Sequence, residues 1–327
     1  MIRIFGGLLA LTIAAAPALV PALAQNWPTR PVTMIVPYAP GGPADVLGRI
    51  VASGMSESLG QPVIIENVAG AGGVTGANRV IRANPDGYQL LLGPGGVMAQ
   101  SLGLYKQPPF DPATDFAPIG LFATAPPILI VRKDFPADNL KDFIAYVRAN
   151  QSKLQFGSAG IGSGPYVTCV LLNATIGVSV VHVPYRSSSL AEQDMIAGRI
   201  DYYCDFISNA LPQIEAKTVK PIATLTRERT AMLPDLATAD EQGLAGFDAA
   251  GWYAMFAPKG TPDAVVRRLN KAMSDALDSA FVKERLVKLG NTIAAPQQRT
   301  PEYLVPFLKA EIAKWTGVMK ATGLTLD

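Results

Sequence analysis

The chain is poor in the side chains that carry most chemistry. Its 327 residues include one histidine, His182, and two cysteines, Cys169 and Cys204. With a single histidine, no group of His, Cys, Asp and Glu has metal-ligand spacing, and neither a metal nor another cofactor is expected. His182 sits in an alternating apolar stretch and reads as a core or strand-end histidine, not a catalytic one. No Gly-x-Ser-x-Gly elbow occurs, so an ordinary serine hydrolase fails at its first requirement. No Gly-x-x-x-x-Gly-Lys-Ser/Thr loop occurs either. In Gly70-Ala71-Gly72-Gly73-Val74-Thr75-Gly76 the last glycine falls one place late for a dinucleotide fingerprint, and Gly160-Ile161-Gly162 meets Pro165 where the third glycine should stand. Charge is scarce too. Charged residues make up 17% of the chain, the net charge is +2 and no Lys/Arg run is present, which excludes a nucleic-acid partner.

Long apolar runs are missing except at the start. Arg3 precedes an apolar stretch, Ile4 to Leu19, and Ala22-Leu23-Ala24 ends it with small residues at cleavage spacing. Residues 1–24 read as a secretory signal peptide cut before Gln25. The alternative, a membrane anchor, needs about 20 apolar residues, and Pro17 and Pro21 interrupt this run. The mature protein is expected to be soluble and exported. In an oxidising compartment Cys169 and Cys204 are a disulfide candidate, the alternative being two separate buried thiols.

What the chain does have is alternation. Hydrophobic residues make up 49% of it, enough for a sizeable core, and the length fits two domains. Strand patterns alternate with helical ones, as in parallel sheets with crossover helices. The first strand, Val32–Val36, runs through Pro37-Tyr38-Ala39-Pro40-Gly41-Gly42 into a helix, Ala44–Leu59. Strands at Val63–Glu66 and Tyr88–Leu92 also end in glycine-rich turns, the latter in Gly93-Pro94-Gly95-Gly96. Residues 105–127 read as irregular. A second α/β unit follows Ile128–Val131. In it the strand Leu154–Phe156 ends in Gly157-Ser158-Ala159-Gly160-Ile161-Gly162-Ser163-Gly164, and a helix runs from there to Ile176. After the aromatic strand Gly251–Ala257, Thr261 is placed as a helix cap and Pro262 at the first helical position. Three helices then close the chain without strands of their own, so they must cover the first sheet. The fold class is therefore α/β with two lobes: residues 25–127 plus 255–327, and residues 128–254.

Glycine-rich turns leading into helices are anion cradles, because the first helical amides lack intrahelical partners and carry positive partial charge. In open α/β sheets ligands bind beyond the carboxyl ends of the strands. Two such sets of amides, one per unit, with no nucleophile or base in register, form the inventory of a binding protein.

Several motifs carry a family resemblance. They are Trp27-Pro28-Thr29-Arg30-Pro31, Val36-Pro37-Tyr38-Ala39-Pro40-Gly41-Gly42-Pro43-Ala44-Asp45, Glu66-Asn67-Val68-Ala69-Gly70-Ala71-Gly72-Gly73 and Pro85-Asp86-Gly87-Tyr88. Further on come Gly157-Ser158-Ala159-Gly160-Ile161-Gly162, His182-Val183-Pro184-Tyr185-Arg186, Leu233-Pro234-Asp235 and Trp252-Tyr253-Ala254-Met255-Phe256-Ala257-Pro258. Together, over nearly the whole mature chain, they resemble the Bug family, the TctC-like solute receptors of tripartite tricarboxylate transporters. The resemblance implies a type II periplasmic binding protein, a Venus flytrap with two parallel or mixed sheets and a hinge of two crossing strands. It implies a periplasmic monomer that captures a small organic carboxylate and delivers it to membrane permease subunits. It places one carboxylate on amides of the Gly41-Gly42 turn and of the Ser158-Ala159-Gly160 turn, often with bridging waters. Two departures stand out. Gly164-Pro165-Tyr166 replaces a histidine common after the second glycine turn, and Pro94-Gly95-Gly96-Val97 replaces a more polar third turn. Both make the cleft less polar and argue against citrate.

Other cleft candidates have a plainer role beside the ligand role. Tyr38 walls the pocket or fills the space between lobes. Asp45 favours its helix start or meets a ligand ammonium or hydroxyl. Ser163 caps its helix or touches ligand. Gly95 lies in the third turn. Tyr185 and Asp205 follow strands of the second unit and point at the same cleft, although Asp205 can equally solvate a turn. Trp252-Tyr253 packs in the core or lies beside the hinge. Two other functions use the same scaffold: a receptor that signals to a sensor partner, and an exported hydrolase or isomerase with Asp45 or Asp205 as base.

Overall fold

The computed structural model describes residues 27–323, so the expected signal peptide lies outside the described residues. In chain order the elements are β1 (Val32–Val36), α1 (Pro43–Leu59), β2 (Val63–Asn67), α2 (Val74–Ile81), β3 (Gln89–Pro94), β4 (Phe116–Ala125), β5 (Pro127–Arg132) and α3 (Leu140–Asn150). Next come β6 (Gln155–Ser158), α4 (Gly164–Ile176), β7 (Val181–Pro184), α5 (Ser188–Ile196), β8 (Tyr202–Phe206), α6 (Ile207–Glu215) and β9 (Val219–Thr224). The chain closes with β10 (Gly251–Pro258), α7 (Asp263–Asp278), α8 (Ala280–Lys288), β11 (Thr292–Ile293) and α9 (Pro301–Ala321).

These strands make two mixed sheets. One has the order β11-β4-β10-β3-β1-β2 and the other β7-β6-β8-β5-β9. β1 pairs parallel with β2 and β3, and β6 with β7 and β8, whereas β10 and β5 run antiparallel to their neighbours. The chain leaves the first sheet at Pro126, between β4 and β5, and re-enters it at Gly251. Each sheet, with the helices packed on it, is the base of one lobe.

Two expectations change here. Residues 116–125 are a ten-residue strand, not irregular chain. Pro118 and Gly120 hide its pattern, and β4 forms only because β10 and β11 flank it and satisfy its backbone. The closing helices do bring a strand of their own, the two-residue β11. A smaller change concerns the start of α7: Pro262 is its cap position, and the Thr261 hydroxyl donates to the Pro258 carbonyl instead of capping.

The helical cover follows from close packing. A Cβ at Gly54 would lie 2.8 Å from that of Ala276, so α1 and α7 approach backbone to backbone. The last helix spans both lobes. Leu304 and Leu308 of α9 join the core of the first sheet, while Trp315 and Met319 join the cluster that holds Phe143, Tyr166 and Tyr202 of the second. Between them the Glu311 carboxylate accepts from both the Trp252 and the Trp315 indole, at 2.9 and 3.1 Å. In the second lobe Cys169 on α4 is bridged to Cys204 on β8, with Cα atoms 5.4 Å apart. The candidate disulfide of the sequence is therefore formed.

Candidate anion-binding cleft

A narrow cavity with about 410 Å³ of atom-free space, its mouth included, lies between the carboxyl ends of the two sheets. From the first lobe come Tyr38, the start of α1 at Gly42, Pro43 and Ala44, and the turn Pro94–Gly96. From the second come Ala159, the start of α4 at Gly164 and Pro165, the start of α5 at Ser187 and Ser188, and Phe206, which is the cap of α6; Tyr253 of β10 completes the wall. Four α-helices, and the helical turn Gly96–Gln100 after Gly95, thus begin at the cavity wall. Helix starts concentrate unpaired amides and positive partial charge. Among the described residues no lysine or arginine lines the cavity, so any anion there is held by amides and hydroxyls. Two hydroxyls are available. Tyr38 Oη and Ser187 Oγ are buried, and neither has a hydrogen-bond partner among the described residues. Burial pushes the Tyr38 phenol well above its ordinary pKa, so it stays a neutral donor.

Of the residues singled out from the sequence, Tyr38, Gly42, Gly95 and Ala159 line the cavity. Others stand behind it. The Gly41 amide donates to Asp45 Oδ2 at 3.0 Å, and its positive φ of 87° turns the loop towards that bond. Asp45, 5% exposed in its side chain, also accepts from Asn67 at 2.9 Å and pairs with Arg49 at 2.9 Å. Burial alone would raise the Asp45 pKa, but the bonds from Arg49, the Gly41 amide and Asn67 outweigh it and hold the carboxyl below its usual range. With its oxygens occupied in this way, Asp45 fixes the shape of the first turn. The Gly160 amide likewise donates to Ser158 Oγ at 3.0 Å, and Ser158 Oγ lies 2.6 Å from His182 Nε2. His182 packs on Phe156 and Tyr166, and burial lowers its pKa to about 4. It is therefore neutral and shapes the second turn. Ser163 caps α4 by accepting from the Tyr166 amide. Tyr185 points away from the cavity, its hydroxyl donating to Asp194 at 2.7 Å.

Asp205 is fully buried beneath the start of α5. It accepts from the Phe206 amide at 2.8 Å and from Asn209 at 2.6 Å, and it is hydrogen-bonded to Ser188 and to Glu192. Burial raises the pKa of both carboxyls, and for Glu192 the charge of Asp205 adds to the rise.

Sequence reasoning passed over Ser187, Ser188 and Phe206. The triplet Ser187-Ser188-Ser189 looks like ordinary loop, and only its place at a helix start facing the first lobe gives it meaning. The lobes meet there. Ala39 N donates to the Arg186 carbonyl at 3.2 Å, and Ser189 Oγ to the Gly41 carbonyl at 2.6 Å. The molecule is in a closed form.

Two lobes of α/β architecture closed over a cavity lined by helix starts define a two-lobed solute-binding protein. The chain belongs to the tripartite tricarboxylate transporter receptor family, whose model matches residues 47–324. This is a family of solute-binding receptors, not of enzymes. A UPF0065 protein of Agrobacterium vitis, encoded in the TAR-I ttuE-ttuC' intergenic region, is 39% identical over 299 residues, covering 91% of this chain and 86% of that protein. MatC from Rhodopseudomonas palustris, solved with bound malate, shares 40% identity and superposes with a TM-score of 0.88, covering 90% of this chain and 100% of MatC. The periplasmic binding protein BugD shares 38% identity with a TM-score of 0.88, covering 91% of this chain and 99% of BugD.

Proposed function

We propose that this protein captures a small organic carboxylate in the periplasm and delivers it to the permease subunits of a tripartite tricarboxylate transporter. One observation carries the reading: helix starts from both lobes and two buried hydroxyls converge on one cavity, and among the described residues those hydroxyls have no partner and no cation lines it. Residues lining it on the Gly42, Gly95 and Ala159 turns, with Tyr38 and Ser187, form the contact set. Gly41, Asp45, Ser158, Gly160 and Ser163 shape those turns, and Tyr185 and Asp205 support α5. Hydrogen bonds to a charged group contribute about 1.5–3 kcal/mol each. Micromolar affinity needs about 8 kcal/mol net, so four to six such bonds suffice against the ordering cost. Capture then works by closure about the crossings at Pro126 and Gly251, because only the closed form engages the ligand from both sides. The apolar lining, with Pro43, Pro94, Pro165 and Phe206, favours a compact acid such as malate, the ligand of MatC, over citrate.

A thermal-shift panel of mono-, di- and tricarboxylates, aromatic acids, amino acids and neutral sugars tests this. A ligand at 100 times its Kd stabilises by about 2.7 kcal/mol. A shift with a carboxylate and none with a sugar is expected. A sugar response without any carboxylate response overturns the proposal.

A further inference from the structure

Two buried acids lie behind the cavity wall. Glu192, on α5, is 4% exposed, and Asp205, at the end of β8, is fully buried. They are hydrogen-bonded to each other. A carboxylate cannot donate, so this contact requires a proton on one of the two. The groups facing them are neutral. Asn209 of α6 donates to Asp205 at 2.6 Å, the Phe206 amide donates at 2.8 Å, and Ser188 of α5 bonds to the same carboxyl. Tyr203 of β8 donates to Ser188 Oγ at 2.9 Å, and the phenols of Tyr38 and Tyr253 lie within electrostatic reach of Tyr203 and Asp205. Neither the cavity nor the groove beside Glu192 is lined by a lysine or arginine among the described residues. One oxygen of Glu192 and the hydroxyl of Ser208, both in that groove, have no partner among the described residues. The pair therefore has no cation to balance a second negative charge.

Its position matters as much as its chemistry. Ser188 lines the anion cavity, and the next residue, Ser189, makes the hydrogen bond that joins α5 to the first lobe. The acids thus sit directly behind the α5 start that faces both ligand and latch. We propose that Glu192 and Asp205 are positioning residues that hold one shared proton in the closed form, and that this proton links carboxylate capture to pH. This rests on the carboxylate-binding reading above. With the proton in place, the pair orients the Ser188 hydroxyl and contributes one negative charge behind the site. Losing it adds a second charge a short distance from the bound anion, which weakens binding about tenfold or more in a partly shielded site. Rising pH therefore lowers affinity as the pair gives up this proton, which happens well above the usual carboxylate range because burial raises both carboxyls.

The test compares wild type with Glu192→Gln, which keeps the size of the side chain and a donor to Asp205 but fixes the charge. Asp205→Asn is the second variant if the first does not fold. Infrared spectra of the ligand-free protein at neutral pH should show the carbonyl stretch of a buried protonated carboxyl in wild type and not in the variant. Absence of that band in wild type overturns the shared proton. Calorimetric titration of the panel carboxylates from neutral to alkaline pH should give a tenfold or larger rise in Kd for wild type and a flat profile for Glu192→Gln. Tight binding with identical profiles in both proteins refutes the pair and leaves the receptor function standing. Failure of every carboxylate at every pH refutes that function, and the coupling with it.

Discussion

Gly96 offers a direct way to test whether the closed form is the ligand-holding form. A Cβ built on Gly96 would lie 2.2 Å from Gly164 N, 2.8 Å from Gly164 Cα and 2.9 Å from the Ser163 carbonyl carbon, all backbone of the opposite lobe. Ordinary contact begins at 3.4 Å, so the nearest approach is more than 1 Å too short. Backbone at the start of α4 has no rotamer with which to yield. Gly96→Ala should therefore leave each lobe intact and oppose only their approach. Overpacking costs about 1–3 kcal/mol. Applied to the closed form alone, that raises the apparent Kd about 5- to 150-fold, since affinity scales with the fraction of competent molecules. Gly72→Ala, whose Cβ would meet the Ile161 carbonyl oxygen at 1.7 Å, blocks closure too. It is the poorer probe, because φ at Gly72 is +62° and alanine is strained there in either form. The assay is calorimetric Kd for the panel carboxylate with the largest thermal shift, combined with small-angle scattering. Wild type should compact on saturation and Gly96→Ala should compact less or not at all, with an unchanged ligand-free melting temperature. A Kd within twofold of wild type together with normal compaction would refute the reasoning.

Three further outcomes are expected. Tyr38→Phe and Ser187→Ala each remove a hydroxyl that has no partner among the described residues, so ligand-free stability should hold while Kd rises about tenfold or more, as for a lost bond to a charged acceptor. Reducing the Cys169–Cys204 bridge, which closes a 35-residue separation, should lower stability by about 4 kcal/mol on the chain-entropy model, read from denaturant midpoints with and without reductant. His182 titrates at about 4 in the folded protein against about 6.5 unfolded. The unfolded chain thus binds the extra proton first, and this contribution to stability is complete above about 6.5 and lost as pH falls towards 4. Proton NMR of the imidazole and melting curves of His182→Gln should show that slope in wild type and its absence in the variant.

Much of this architecture can be read from the chain. β1, β3 and β10 announce themselves by continuous apolar runs, and α1 and α4 by a glycine-rich turn followed by proline at the first positions. β4 was hidden because its neighbours in sequence say nothing of β10, the strand that completes its hydrogen bonding. The cleft was legible as turns and not as contacts. A glycine-rich loop tells that amides are accessible, but not which of them an adjacent side chain already occupies. Asp45 takes the amide of Gly41, and Ser158 that of Gly160, over separations of four and two residues that make sense only once each turn has folded. Ser187 was invisible for the opposite reason: a serine acquires its role from a helix start and from the lobe facing it, neither of which lies within its own sequence neighbourhood.

The reach of α9 has a consequence for how the molecule comes apart. Trp315 and Met319 complete the hydrophobic cluster of the second lobe, although the helix that carries them is rooted on the first, and Glu311 ties that helix to β10 through two indoles. Residues 127–250 excised alone would expose the patch those side chains cover and lose part of their core. The second lobe is thus not an independent folding unit. Calorimetry should record one cooperative melting transition, with equal van't Hoff and calorimetric enthalpies, where two detachable domains would give two.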